Sequence, residues 1–369
     1  MNKGWELLEL YINETLRKNK MKILELFAGI GACSKALDNL GIEHEIVDAV
    51  EIDKFAIKSF NAIHGTNFEP QDITKWDKDI EVDLIMHGSP CQDFSVAGLG
   101  KGGDKGSGTR SSLMYETLRI VEKLKPKYVI WENVKNLLSK KHRHNFDAYL
   151  EAMEKLGYKS YYKVLNAKDF NIPQNRERVF TVSILGDGRY EFPEPTLLKT
   201  KLKDLLEDNV DESYYLSDKK IEMISKWKCY EKPLEHVMHG DSICGTLTTR
   251  SGAECGGMKT VYIKTANKTG YDVAVDGDGI DLAYPNSETR RGRVGHGVSK
   301  TLATSDTQGC LDGVRIRKLT PKECWRLMGF SDDDFEKAEK VNSRAQLYKQ
   351  AGNSIVVKVL ESVLKNLLQ

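Results

Sequence analysis

No stretch of this 369-residue chain approaches the ~20 consecutive apolar residues that a membrane-spanning helix needs. The N-terminal segment MNKGWELLELYINETLRKNK breaks its apolar pattern with Glu6, Glu9, Asn13 and Glu14, so neither a signal peptide nor a membrane anchor is expected. Cysteine is sparse: seven residues, at 33, 91, 229, 244, 255, 310 and 324, odd in number and never spaced as CxxC. That argues against a disulfide framework and against a zinc site, and it points to a reduced, cytosolic compartment with no metal. Net charge is missing too. With 55 basic and 54 acidic side chains the formal charge is +1, so any affinity for nucleic acid has to come from local basic patches. A hydrophobic fraction of 40% excludes a disordered or fibrous chain and leaves a globular protein of one large domain or two.

What is present has a clear rhythm. Trp5, Leu8, Ile12 and Leu16 recur at near-helical spacing between charges, which predicts an amphipathic helix over 5–18 ahead of the core. From Met21 to Phe27 an apolar run leads into a glycine-broken turn, a helical stretch to about Leu40 and a second strand, Glu45 to Val50. That order is a βαβ unit. Further strand candidates at Val82 to His87, Tyr128 to Trp131 and Val179 to Leu185 alternate with helical patterns such as Leu113 to Leu124 and Phe146 to Leu156. The alternation predicts an α/β fold, a mostly parallel sheet covered by helices on both faces. After Gly186 it stops, and Pro193, Pro195, a charged stretch and a glycine-rich region through Gly313 take over. A helix start at Thr320 and Pro321 and a final helix from about Ile355 to Leu368 follow. The expected division is a first domain over 1–188, a second over 189–335, and a segment over 336–369 that returns to the first.

Four motifs carry chemistry. FAGIGA, Phe27 to Ala32, lies between a strand and a helix, and Glu51 ends the next strand. Glycines at 29 and 31 allow close backbone approach, and a carboxylate about 20 residues on can take a ribose hydroxyl pair, so the constellation suits a nucleoside-containing cofactor. Two glycines instead of three fit the NAD fingerprint poorly. GSPCQDFSVAG, Gly88 to Gly98, sets Cys91 just after a strand, where an exposed thiolate can act as a nucleophile. The glycine-rich stretch behind it, Gly98 to Gly108, has the composition of a loop that closes over substrate. WENV places Glu132 at another strand end, suited to proton exchange across the cleft. QNRERVF spaces Arg176 and Arg178 by two, on one face if extended. Taken singly, each of these residues has an ordinary structural explanation.

In order along the chain, FAGIG, an acidic strand end, PCQ, ENV, QxRxR, RKLTPKECWRLMGF (Arg317 to Phe330) and YKQAGNSIVVKVL (Tyr348 to Leu360) resemble the motif set of DNA cytosine-5 methyltransferases of bacterial and phage type. The resemblance covers residues 21–185 and 315–362. It implies a Rossmann-like methyltransferase sheet with a smaller inserted target-recognition domain, S-adenosylmethionine as cofactor, and methylation of carbon 5 of cytosine in a specific duplex DNA sequence. By the same resemblance Phe27, Gly29 and Ile30 would wrap the cofactor and Glu51 would bind its ribose. Ile52 would pack on the adenine, while Asp72 with Ile73 of QDI would meet its amino edge. Pro90 would shape the nucleophile loop, and Asn353 and Ser354 would contribute from the C-terminal segment. Ile52 departs from the aromatic that relatives often carry, and Ala32 stands for a frequent glycine.

The implied catalytic set is Cys91, Glu132, Arg176 and Arg178, acting on a flipped-out base. Carbon 5 of cytosine is too weak a nucleophile until the thiolate adds to carbon 6. Glu132 would bond ring nitrogen 3, Arg178 the exocyclic oxygen, and Arg176 would order the carboxylate and nearby backbone. Gln92, Ser95 and Arg110, on or beside the glycine-rich loop, are expected to meet DNA, and Arg250, Arg290, Arg291 and Arg293 to touch phosphates or base edges. Thr246-Leu247 and Thr301-Leu302 are both candidates for the recognition domain's Thr-Leu pair. The expected partner is duplex DNA, with a restriction endonuclease on the same site as an optional one, no membrane, and a monomeric enzyme. A related branch methylates transfer RNA but lacks a full-sized recognition domain, whereas about 130 residues separate QNRER from RKLTP here.

Overall fold

The structure, a computed structural model, describes residues 20–90, 113–225, 260–313 and 315–368. The helix expected over 5–18 lies outside them. In chain order the first half contains β1 (Met21–Leu26), α1 (Ala32–Leu40), β2 (His44–Val50), α2 (Lys54–His64), β3 (Leu84–His87), α3 (Met114–Leu124), β4 (Tyr128–Val134), α4 (Arg143–Lys155), β5 (Tyr158–Asn166), a two-residue β6 (Gln174–Asn175) and β7 (Glu177–Leu185). β1 to β4 are mutually parallel, and β7 and β5 close the sheet antiparallel to their neighbours, in the order β2-β1-β3-β4-β7-β5. Strand order reverses at β1, which has β2 on one side and β3 on the other. A crevice therefore opens outside the carboxyl ends of β1 and β3, where open α/β sheets bind ligands.

Side-chain alternation along the strands builds two cores, one per face. Ile23, Leu84, Met86, Ile130, Phe180 and Val182 pack with Ala36 and Leu37 of α1 on one face. Leu24, Leu26, Ile85, Val129, Trp131 and Val179 pack with Ile120 and Val121 of α3 and Phe146, Tyr149 and Met153 of α4 on the other. Each such buried aliphatic stabilises the sheet by about 1.5–3 kcal/mol. The helices on both faces and the strand at Val179 to Leu185 match the expectation from sequence; the antiparallel direction of that strand, β7, and the strand β5 were not foreseen. The helix ends are set locally. Gly41 (φ 67°) closes α1 in a left-handed turn in which the Gly41 and Ile42 N–H groups reach the Asp38 and Leu37 carbonyls, each at 3.0 Å.

The second half runs through α5 (Asp218–Ile224), β8 (Thr260–Lys264), β9 (Tyr271–Val275), β10 (Gly279–Asp281), β11 (Val294–Gly295), β12 (Ser299–Lys300), β13 (Gln308–Asp312) and β14 (Arg315–Lys318). β11-β10-β13-β14 form an antiparallel sheet with its own core of Ile224, Val261, Ile263, Ala274, Ile280, Val294, Leu311 and Ile316. α6 (Pro321–Arg326), α7 (Asp332–Glu339), α8 (Arg344–Asn353) and α9 (Val357–Leu368) then return to the large sheet.

The return comes earlier than residue 335. Leu319, Trp325, Met328, Phe330 and Phe335 already belong to the first core, as do Tyr190 and Leu202. α6 starts as its sequence predicts: the Thr320 hydroxyl accepts from the Glu323 N–H, the Glu323 carboxylate accepts from the Thr320 N–H at 2.8 Å, and Pro321 occupies the first turn. Among the described residues no helix is long and apolar enough to cross a membrane.

Candidate active site

The turn after β1 bends through three left-handed residues, Phe27 (φ 54°), Gly29 (φ 56°) and Gly31 (φ 80°). A side chain on Gly31 would begin 2.1 Å from the His64 ring, whereas one on Gly29 would meet nothing within 4 Å. Gly31 thus serves helix packing, and Gly29 faces open space. Glu51, just beyond β2, braces this turn: Oε2 accepts from the Gly29 N–H at 3.0 Å and Oε1 from the Asp53 N–H at 2.8 Å. Burial pushes its carboxyl up from the ordinary value, and those two backbone bonds pull it down. One lone pair on each oxygen remains for further donors.

Beside Glu51, Ile52 is 71% exposed, although isoleucine ordinarily goes inside. Asp53 caps α2 through the Phe55 N–H and pairs with Lys349 Nζ of α8 at 2.7 Å. Asp72 is brought to the same crevice because the Gln71 N–H bonds the Glu51 carbonyl at 2.8 Å. Asp72 Oδ1 accepts from the Thr74 hydroxyl at 2.8 Å and the Thr74 N–H at 3.0 Å. These bonds hold its carboxyl below the ordinary value. Ile73 requires a correction: its side chain is buried in the core with Trp76, so it does not line the crevice.

At the ends of β3 and β4 the second group converges. Glu132 is buried, its Oε1 lies 3.1 Å from Arg178 Nε, and Oε2 lies 3.9 Å from where a Gly88 side chain would begin. Burial raises its carboxyl, with Arg178 and then Arg176 opposing the shift. The protonated form, which can donate a hydrogen bond, is thereby brought nearer neutral pH. Arg178 reaches Glu132 because β7 runs antiparallel to β4, pairing Phe180 with Glu132 and Arg178 with Val134.

Arg176 is buried and spans three carbonyls: Nη1 donates to Leu302 at 3.3 Å, and Nη2 donates to Gly352 at 3.1 Å and Ser354 at 2.8 Å. It ties the Thr301-Leu302 segment and the Asn353-Ser354 turn to the sheet. A side chain on Gly352 would begin 2.2 Å from the Ala303 carbonyl oxygen, so only glycine fits there.

Some contributors were not anticipated from sequence. Trp131 Nε1 donates to Ser89 Oγ at 3.0 Å, and Asn133 Nδ2 donates to the Ser89 carbonyl at 3.2 Å. The end of β4 thus grips the segment leading into Pro90. Beneath it, His87 stacks on Trp131 at 5.5 Å and meets the Tyr149 hydroxyl at 3.0 Å. Burial pushes this imidazole down to about 3, so it stays neutral. The Asn in ENV was the available signal for the Ser89 clamp.

Cys91, Gln92, Ser95, Arg110, Arg250 and Thr246-Leu247 lie outside the described residues. Of the three remaining arginines expected at DNA, Arg291 is exposed. Arg290 pairs with Asp281, Nε to Oδ2 at 2.8 Å. Arg293 must be corrected: it is buried, and its guanidinium donates to the carbonyls of Asp281, Ala283 and Tyr284 at 3.0, 2.8 and 2.6 Å. A guanidinium so engaged has no edge to offer a base.

The family model for C-5 cytosine-specific DNA methylase matches residues 21–369. The chain belongs to that family. It is a DNA cytosine-5-methyltransferase. An orphan methyltransferase of Bacillus phage rho11s is 31% identical, over 95% of this chain and 98% of the relative. A type II methyltransferase of Lactococcus lactis subsp. cremoris is 33% identical, over 95% and 99%. Among solved structures, the Dnmt2 methyltransferase of S. pombe superposes with a TM-score of 0.58 at 20% identity, covering 95% of this chain and 98% of that one. This last likeness supports the fold, an α/β methyltransferase sheet.

Proposed function

We propose that the enzyme methylates carbon 5 of cytosine within a specific duplex DNA sequence, with S-adenosylmethionine as methyl donor and a transient covalent bond from Cys91 to carbon 6 of a flipped-out base. The observation that carries this reading is the buried Glu132–Arg178 pair, 3.1 Å apart, set against Gly88 three residues before Cys91. An acid that can donate beside a fixed guanidinium suits a pyrimidine edge that presents a ring nitrogen and a carbonyl oxygen side by side.

The donor fits the crevice at the ends of β1 and β2. The open space at Gly29 leaves room for its methionine end, Glu51 has lone pairs left for two ribose hydroxyls, and exposed Ile52 offers an apolar cover for the adenine, with Asp72 at the amino edge. Phe27, Pro90, Asn353 and Ser354 complete the wall, whereas the Ile30 side chain is buried in the first core and, like Ile73, is withdrawn from it. When bound, S-adenosylmethionine supplies an electrophilic methyl group. The Cys91 thiolate forms the sulfur–carbon 6 bond, and Glu132, bonded to ring nitrogen 3, stabilises the electron density that would otherwise build there. Arg178 holds the exocyclic oxygen, and Arg176 keeps the surrounding backbone in place. After methyl transfer, loss of the carbon 5 proton expels the thiolate and restores the aromatic ring. Residues from about 207 to 318, with Gln92, Ser95 and Arg110, take up the DNA around the target. A base pulled from the stack costs a few kcal/mol, which those contacts must offset.

Duplex DNA carrying 5-fluorocytosine tests the covalent step, because fluorine at carbon 5 blocks the final elimination. With S-adenosylmethionine the wild-type protein should form an adduct that survives denaturation and maps to the peptide containing Cys91. An adduct on any other residue, or none at all, would refute the mechanism.

A further inference from the structure

Residues 282–293 connect β10 to β11, which pair in antiparallel register through Gly279↔Gly295 and Ile280↔Val294. Three residues past β10, Tyr284 is 72% exposed, and its backbone is left-handed at φ 50°. Both features run against ordinary preference, since an aromatic ring favours burial and a bulky residue avoids positive φ. Unfavourable local choices of this kind concentrate where a side chain is held for use.

The hold is extensive. Arg293 donates to the carbonyls of Asp281, Ala283 and Tyr284 from beneath, and the Ser287 N–H adds a second bond to the Tyr284 carbonyl at 2.9 Å. Asp281 accepts from the Ala283 N–H at 3.0 Å and anchors Arg290, whose guanidinium lies 5.5 Å from the centre of the Tyr284 ring. The backbone is thus fixed while the ring stands in solvent.

The base of the loop adjoins the catalytic strands. A side chain on Gly292 would begin 4.0 Å from Lys300 Nζ. Lys300 pairs with Asn175 through β12 and β6, and Thr301 Oγ1 donates to the Asn175 carbonyl at 2.7 Å. The next residue, Arg176, holds the Leu302 carbonyl. Exposed Arg291 and partly exposed Lys300 give this edge a positive charge that suits a phosphate backbone.

We propose that the 282–293 loop reads DNA and that Tyr284 is its specificity-determining contact, its ring lying against a base edge outside the flipped cytosine. This rests on the methyltransferase reading above, with Arg293 and Arg290 keeping the ring in position. Tyr284→Gly and Tyr284→Asn both suit a left-handed backbone and remove the ring, and Tyr284→Phe keeps it. Each full-length variant would be assayed for methylation of a randomised-site duplex library, for KM on the preferred duplex, and for Tm. Stacking and base-edge contacts of this size lead us to expect a KM about tenfold higher in the Gly and Asn variants. Tm should stay at or above wild type, and base choice should relax at one position other than the target cytosine. Tyr284→Phe should retain the wild-type preference. Unchanged preference in the Gly and Asn variants, or a loss spread equally over all sequences, would overturn the proposal. Failure of the underlying reading looks different: the wild-type enzyme itself would then leave the library unmethylated.

Discussion

Replacing Glu51 by alanine tests the cofactor half of the crevice, and its effect can be worked from the contacts. The carboxylate accepts from the Gly29 and Asp53 N–H groups at 3.0 and 2.8 Å, which leaves one lone pair per oxygen for two ribose hydroxyls. Losing those two charged hydrogen bonds, partly replaced by water in the enlarged space, should cost about 1.5–3 kcal/mol, or roughly ten- to hundredfold in affinity for S-adenosylmethionine. The free protein should lose less. Two N–H groups forfeit an acceptor, but a costly buried carboxylate, whose ionisation burial disfavours, is removed at the same time. Titration calorimetry with S-adenosylmethionine, alongside DNA binding measured without it, separates the two effects. Cofactor affinity should fall while DNA affinity stays near wild type. Unchanged cofactor affinity, or an equal loss of both, would return Glu51 to a purely structural role.

Glu25 gives the enzyme a pH-dependent stability. It is buried against the Ser34 N–H at 3.0 Å, and burial raises its carboxyl from 4.5 to about 7, so the fold favours the protonated form. That contribution, roughly 3 kcal/mol, is fully present below about pH 4.5 and is lost as pH rises through about 7. In chemical denaturation at several pH values, Glu25→Gln should flatten this part of the profile; an unchanged profile would remove Glu25 as its source. Arg293 and Arg291, both between β10 and β11, should fail in opposite ways. Arg293→Ala should lower Tm, because three carbonyls lose their donor, whereas Arg291→Ala should leave Tm alone and reduce the salt slope of DNA binding by about 1. An Arg291→Ala variant with unchanged salt dependence would show that this residue touches no phosphate.

What could be read from sequence was what local rules decide. The strand–turn–helix of FAGIGA depends on glycines at neighbouring positions, and the α6 start on Thr320, Pro321 and Glu323 within one turn, so both stand where they were expected. α2 buries Ala56, Ile57, Ser59, Phe60 and Ile63 on its inner face, but Lys54, Lys58, Ser59 and Asn61 interrupt the apolar pattern that would mark it in the sequence. β5 was missed for a different reason. YKSYYKVLN carries lysines and tyrosines at an edge, and only its pairing along β7 makes it a strand. Ile73 and Arg293 show the main limit. Asp72 and Ile73 are adjacent, yet one side chain caps a turn and the other enters the core; Arg293 directly follows exposed Arg291 and Gly292, yet points inward. Whether a polar or apolar side chain is spent on its own fold depends on partners distant in sequence. That Leu319 and Trp325 join the large core was hidden for the same reason, since they do so through distant partners such as Phe335, Leu347 and Tyr348.

Bisulfite sequencing of plasmid DNA from cells expressing the wild-type chain, compared with Cys91→Ser, puts the account to its most direct test. Wild-type expression should leave cytosines unconverted within one short sequence context and nowhere else. Cys91→Ser should leave none, although the purified variant still binds DNA and S-adenosylmethionine. Absence of protected cytosines in the wild-type sample, or equal protection in both, would contradict the assignment of Cys91 as the nucleophile of a sequence-specific DNA cytosine-5 methyltransferase.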